Sequence, residues 1–265
     1  MNRSRCLACS ILVLALAASV HLAGAADVPG EESQVIILKL DDVVAYGTSA
    51  QSPVPPRWQR VTDFLRNSDI KASYGIIGFS LEEENEAYFD WIKKLDASGD
   101  VEFWNHGYRN RKGTDKSGEF EGSFEQQKTA LERTQQLAKD RLGIELKAFG
   151  PHWSGTNEHT VRALRGIPEI TMWFYGPRES DKFVFERFLT LENPTHVPDF
   201  EKFKATYERV GRDKPCLALQ GHPNSWDDER WDGVVKIIDY LKSKGCVFMT
   251  PSEYMASVQQ GSAGE

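Results

Sequence analysis

The sequence carries no block of basic residues, no glycine-rich phosphate loop, no internal repeat and few cysteines. Each absence removes a class of function. Acidic residues outnumber Lys and Arg by 39 to 32, for a formal net charge of −7, so the electrostatic footprint of a nucleic-acid partner is missing. Without a glycine-rich turn between strand and helix, there is no cradle for a nucleotide phosphate. Four cysteines are present, and only Cys216 and Cys246 lie beyond the N-terminal segment. Each opens an apolar stretch, CLAL and CVFM, and the pair reads as two buried thiols, although export would permit a disulfide.

What is present begins with an address. Arg3 and Arg5 precede an apolar run at residues 11–20, followed by Ala23-Gly24-Ala25. A basic start, a short apolar middle and a small-residue cleavage site make residues 1–25 a secretory signal peptide. The run is too short to span a bilayer, and no basic stop-transfer flank follows it. Cys9 precedes the apolar run rather than following it, which argues against a lipid anchor. The mature protein is therefore expected to be secreted or periplasmic, with no membrane attachment after cleavage. Residues 26–258 are expected to form one catalytic domain, and residues 259–265 (QQGSAGE) a solvated tail.

Hydrophobic residues make up 40% and charged residues 27% of the chain, an ordinary globular balance. Strand and helix signals alternate along it. Strands are expected at 35–40 (VIILKL), 70–77, 101–104, 146–149, 169–174, 216–220 and 247–249. Helices are expected at 57–67, 84–95, 123–142 with Ser123 as N-cap, 156–164, 200–210, 231–241 and from 252 onward. Residues 111–122 and 176–198 read as irregular. This alternation implies an α/β fold of parallel strands with helices outside, about seven units long. Periodicity alone leaves a closed barrel and an open doubly wound sheet equally available.

Polar groups collect where strands end, and in parallel α/β folds the loops after the strands share one face. Asp41 and Asp42 close the first strand. Neighbouring side chains on a strand point in different directions, so one carboxylate can hold a metal while the other accepts a proton from water. A helix cap is the ordinary alternative for either. An aspartyl nucleophile of the Asp-x-Asp kind is disfavoured because position 43 is Val. His106 and Asn110, in EFWNHGYRN, would share one face of a helical turn, about 40° apart around its axis. His152, His159 and His196 are by default structural or surface histidines, whereas His222 follows an apolar strand and a glycine, a place that favours a site.

Taken in order, LKLDDV, WNHGYRN, FGPHWSG and LALQGH resemble the polysaccharide deacetylase family, of the NodB-homology or carbohydrate esterase 4 type. The likeness spans about residues 34–257. It implies a distorted (β/α) barrel of about seven strand units that removes acetyl groups from an acetylated polysaccharide or oligosaccharide with a divalent metal, zinc foremost. On that resemblance Asp41 is the general base, Asp42, His106 and Asn110 are the metal ligands, and His222 is the acid that protonates the leaving amine or alcohol. The segment Pro151-His152-Trp153 and Trp226 would contact substrate, with a backbone N–H near Trp153 holding the oxyanion.

Two positions depart from the family pattern. Asn110 stands where the family usually has a histidine, and a neutral amide oxygen is a weak zinc ligand. It either ligates, directly or through water, or caps its own loop. Gly150 stands where an arginine often orients the base, so Asp41 is expected to lose a positive neighbour and with it some depression of its pKa. His152 is the candidate to contribute instead, as a ligand or as a partner to the base. These departures keep two other functions open: a catalytically silent glycan-binding barrel, and a hydrolase of some other C–N or ester bond.

Overall fold

The computed structural model describes residues 33–45, 52–110 and 117–262. The expected signal peptide lies outside them. Strands β1 (Val35–Val43), β2 (Ala72–Ile76), β3 (Val101–Asn105), β4 (Ala148–Phe149), β5 (Met172–Phe174), β6 (Phe183–Phe185), β7 (Cys216–Gly221) and β8 (Val247–Phe248) alternate with helices. Those helices are α1 (Pro56–Asn67), α2 (Glu86–Ser98), α3 (Phe124–Leu137), α4 (Glu158–Arg165), α5 (Phe200–Thr206), α6 (Asp228–Ser243) and α7 (Pro251–Ser262). All strand pairs are parallel, in the order β6-β5-β4-β3-β2-β1-β7, with β8 beside the start of β1. The seven-strand path curls into a nearly closed barrel flanked by helices, so the barrel rather than the open sheet is the outcome.

Two-residue alternation explains which side chains enter the barrel. Along β1, Ile36, Leu38 and Leu40 pack outward with Trp58, Val61 and Ile238 of the surrounding helices. Val35 and Ile37 pack inward with Trp104, Met172 and Phe174. The same alternation turns Lys39 and Asp41 inward, onto the barrel's polar end.

Local signals behave as their chemistry requires. Ser123 caps α3 through a reciprocal box with Gln126. Gly99 ends α2 in the left-handed conformation. β6 was hidden in a stretch expected to be irregular, because FVF is only three residues long and lies between charged neighbours; it forms by pairing with β5. The expected tail also differs: α7 continues through Ser262, with Gln259, Gln260 and Gly261 exposed on it. Cys216 and Cys246 are free thiols. Among the described residues, no helix is long and apolar enough to cross a membrane.

Candidate metal centre and active site

The end of β1 is bent. Its register with β2 shifts between Leu40 and Val43, and Asp42 takes a left-handed backbone (φ 70°). Such a φ is unfavourable for a residue with a Cβ. Asn224 holds the turn by donating from Nδ2 to the Asp42 carbonyl (3.0 Å). The bulge overrides strict alternation, and both carboxylates reach one histidine. His106 Nε2 lies 3.3 Å from Asp42 Oδ1 and 3.7 Å from Asp41 Oδ2.

His106 is aimed by the strand next door. β3 pairs Asn105 with Phe149 of β4, and Gly150 N donates to the Asn105 carbonyl (3.1 Å). That register sets the Gly150 carbonyl 2.6 Å from His106 Nδ1. An Nδ1–H donated to this carbonyl leaves Nε2 as the lone-pair nitrogen facing the carboxylates, as a metal-binding histidine requires.

Residues 106–110 do not form the helical turn that would align His106 with Asn110. Gly107 sits at φ 80°, and the Glu119 carboxylate accepts from Tyr108 N (2.9 Å) and Arg109 N (3.2 Å), pulling the backbone out of helical register. Asn110 Oδ1 accepts instead from Trp153 Nε1 (3.3 Å). The third member of the cluster is His152, whose Nδ1 lies 3.4 Å from Asp42 Oδ1. Asp42, His106 and His152 bring one donor atom each to within 4.8 Å of one another. Asn110, expected as the third ligand, is exposed and meets Trp153, whereas the turn after β4 brings His152 to Asp42.

The donor set fits a zinc-class cation. Two ligands on a tetrahedral ion at about 2.0–2.1 Å stand about 3.3–3.4 Å apart, and the two Asp42–histidine separations match. Among the described residues, Asp42 Oδ1 is one of the buried polar atoms without a hydrogen-bond partner, and an orphaned buried carboxylate oxygen is costly unless something binds it. Burial, with His106 alongside, pushes His152 down to about 4 against the pull of Asp42, so its ring is neutral at neutral pH. Burial would raise Asp42, but His106 and His152 outweigh it and hold the carboxyl well below the usual range.

Asp41 has a positive neighbour after all. Lys39 Nζ donates to Asp41 Oδ1 at 2.5 Å, and both side chains are 2% exposed. The ammonium also lies over Trp104 (4.5 Å), Tyr175 (5.4 Å) and Phe174 (5.7 Å), faces that favour a cation. A Cβ at Gly150 would stand 3.1 Å from Lys39 Cε and 3.0 Å from Trp104 Cζ3. Gly150 thus leaves the space that Lys39 fills, and Lys39 supplies the positive neighbour that Asp41 was expected to lose. Register adds a second donor, since β1 pairs Lys39 with Gln220 of β7. Gln220 Nε2 donates to Asp41 Oδ2 (2.7 Å), and Arg187 donates to Gln220 Oε1, fixing the amide's orientation. Burial pushes Asp41 up, yet Lys39, His106 and His222 together hold it below its ordinary value. The expected weakening at Asp41 does not occur.

His222 faces Asp41 from the far side, with Nε2 3.7 Å from Oδ2. Behind it stands Glu192, which the sequence reading missed. Thr190 Oγ1 and Leu191 N both bond the Gln220 carbonyl, laying this irregular segment along β7. Glu192 accepts from His222 Nδ1 (2.7 Å), His222 N (2.7 Å), His196 N (2.8 Å) and Trp226 Nε1 (2.7 Å). Burial lowers His222, but its bond to Glu192 and the charge of Asp41 outweigh that and raise it. Trp226 is 1% exposed, so no sugar ring can stack on it, and its expected substrate contact is corrected to a structural one. Pro151 and His152 are buried, while Trp153 is 66% exposed at φ 61°.

No family model and no curated protein matches the chain. Solved structures do. The chain is similar to the Xyl-CE4 domain of a multidomain xylanase from the hindgut metagenome of Trinervitermes trinervoides, with 18% identity over 86% of this chain and 92% of that one and a TM-score of 0.58. It is also similar to a family 4 acetyl xylan esterase from Clostridium thermocellum in complex with cobalt (20% identity, 83% and 89% covered, TM-score 0.54). A third likeness is to a CE4-family pseudoenzyme from Bacillus anthracis (14% identity, 84% and 65% covered, TM-score 0.53). The resemblance read in the sequence holds at the level of the fold: this chain has the NodB-type barrel of the family 4 carbohydrate esterases.

Proposed function

We propose that the chain is an exported, metal-dependent deacetylase of an acetylated polysaccharide or oligosaccharide. The observation that carries this reading is the convergence of Asp42, His106 and His152 beside a base and acid pair, Asp41 and His222, at one end of the barrel.

Asp42, His106 and His152 would hold a divalent cation, zinc foremost, which when bound polarises an acyl carbonyl and acidifies water. Asp41 takes the proton of the attacking water on Oδ2, the oxygen that faces His106 and His222. Lys39 and Gln220 fix the carboxylate's plane and keep it ionised. A backbone N–H near Trp153 receives the developing oxyanion. His222 delivers its Nε2 proton to the departing amine or alcohol, while Glu192 holds the imidazolium at Nδ1. Acetate and the free sugar nitrogen or oxygen are the products. Exposed Trp153, and Phe79 at 61% exposure, offer aromatic faces to sugar rings.

The silent glycan-binding barrel drew its support from Asn110 and Gly150. His152 and Lys39 supply what those positions lack, and a pure binder has no use for a base facing an acid. The decisive experiment measures acetate release from a panel of N- and O-acetylated glycans by the zinc-loaded protein, with Asp41→Asn as control. Release that the substitution abolishes supports the deacetylase. Glycan binding with no release from any substrate leaves the binder, and hydrolysis of only non-acetyl bonds leaves the other hydrolase.

A further inference from the structure

A second group of metal-binding side chains lies behind the acid. Glu192, His196 and His222 each bring a donor atom to within 4.8 Å of the others. Two imidazoles and one carboxylate are a zinc-type donor set. His196 reaches this group by an unfavourable route, since its backbone is left-handed (φ 71°) and it is not a glycine. The conformation is held by its own N–H on Glu192 Oε2 (2.8 Å) and by Ser225 Oγ on its Nδ1 (3.0 Å). It brings the His196 ring to 4.6 Å from that of His222. Strain of this kind persists where the surroundings enforce it. The catalytic roles above need Glu192 and His222 but give His196 nothing to do. His196 is also exposed, which gives an ion a way in from solvent.

We infer that Glu192, His196 and His222 form a second site for a zinc-class divalent cation, and that filling it silences the enzyme. The silencing, unlike the binding, rests on the deacetylase reading. A cation can enter only by displacing the proton that His222 Nδ1 shares with Glu192 Oε2; that proton leaves to water. The three other donors to Glu192 are two backbone N–H groups and the Trp226 indole, and they stay in place. The 2.7 Å gap between Nδ1 and Oε2 must open by about half an ångström to become a coordination edge. This makes the second site the weaker of the two. With its Nδ1 on a cation, His222 cannot be an imidazolium; its ring keeps Nε2–H only as a neutral imidazole, a far weaker acid, so protonation of the leaving group slows.

The test uses the intact protein titrated with zinc alone, with bound metal counted by mass spectrometry and calorimetry, and with acetate release followed in parallel. His196→Gly is the informative variant, because glycine accepts φ 71° without strain and carries no ligand. Two equivalents in the wild type and one in His196→Gly are expected, with activity falling at least tenfold only as the second equivalent binds to the wild type. One equivalent in the wild type overturns the site. Two equivalents in both proteins remove His196 from it. A second equivalent that leaves turnover unchanged overturns the silencing alone. If acetate is never released, the deacetylase reading fails and the metal count still decides the site.

Discussion

Lys39 and Asp41 are two residues apart on one strand, and the ammonium of the first lies 2.5 Å from the carboxylate of the second, with both side chains 2% exposed. An extended strand puts alternate side chains on one face, and only a side chain as long as lysine can bend back to meet its neighbour there. Replacing Lys39 by Met leaves a buried carboxylate without its cation, and breaking such a pair costs about 3–5 kcal/mol. At the site, burial then governs Asp41 and raises its pKa. Because Lys39 now depresses that pKa, activity should persist as pH falls until Asp41 protonates. In Lys39→Met the acid limb of the pH–rate profile should move to higher pH, with turnover reduced about 10²-fold and zinc content unchanged. An unmoved acid limb would show that Lys39 does not act through Asp41.

The close approach of positions 39 and 150 makes its own prediction. Gly150→Arg, the residue that the resemblance leads one to expect there, should destabilise this chain, because its Cβ would meet Lys39 Cε at 3.1 Å and Trp104 at 3.0 Å. In a Lys39→Ala background the same arginine finds the vacated space, and a melting temperature above that of Gly150→Arg alone is the expected result. Thermal unfolding of the two singles and the double decides this through the sign of their coupling.

Metal affinity should follow His152 rather than Asn110. His152→Ala removes one of three protein donors and is expected to weaken zinc binding by at least 10²-fold. Asn110→Ala, and equally Asn110→His, should change it less than about threefold, since this side chain turns to Trp153. Competition titration with a chromophoric chelator reads all three. A gain in affinity from Asn110→His would return that position to the coordination sphere.

These tests fall where the sequence was hardest to read, and the reasons are physical. The alternation of strands and helices, and the placing of Asp41, Asp42, His106 and His222 after strands, follow from local hydrophobic periodicity and are visible in one dimension. The roles of His152, Lys39 and Glu192 depend on register. Lys39 looks like a polar interruption in VIILKL until β7 lays Gln220 beside it. Glu192 sits in an irregular stretch whose only guide is the Gln220 carbonyl. His106 and Asn110 invited a helical spacing that Gly107 and Glu119 undo. The one local clue was His152, two residues after Gly150 and the candidate to contribute as a ligand or as a partner to the base.

On the proposed mechanism, Glu192 should set the upper end of the pH range. Its carboxylate, together with Asp41, raises the pKa of His222, so on the proposed mechanism the acid should stay protonated to higher pH and the alkaline limb of the rate profile is expected above the ordinary histidine value. The stability contributed by this pair is full below that ordinary value, about 6.5, and is lost as pH rises through the raised one. Glu192→Gln keeps the shape and removes the charge. The alkaline limb should therefore move to lower pH, and turnover at pH 8 should fall more than turnover at pH 6. Equal losses at both would mean that Glu192 only supports the loop.

The two tryptophans beside the site should separate cleanly. Trp153 is 66% exposed and Trp226 is 1% exposed. Trp226→Ala empties a packed volume and leaves Glu192 Oε1 short of a donor, so a stability loss of about 3–5 kcal/mol is expected. Trp153→Ala should leave the melting temperature within about 2 °C, because an exposed ring removes little burial. Its effect should appear in KM: loss of one stacking face is expected to raise KM for an oligosaccharide several-fold, with little change for a small acetyl ester that has no sugar to stack. Denaturant unfolding and steady-state kinetics on both substrates make the comparison. An equal rise in KM on both would place Trp153 at the acetyl group rather than at the glycan, since only a contact with the shared acyl moiety can weaken both substrates alike.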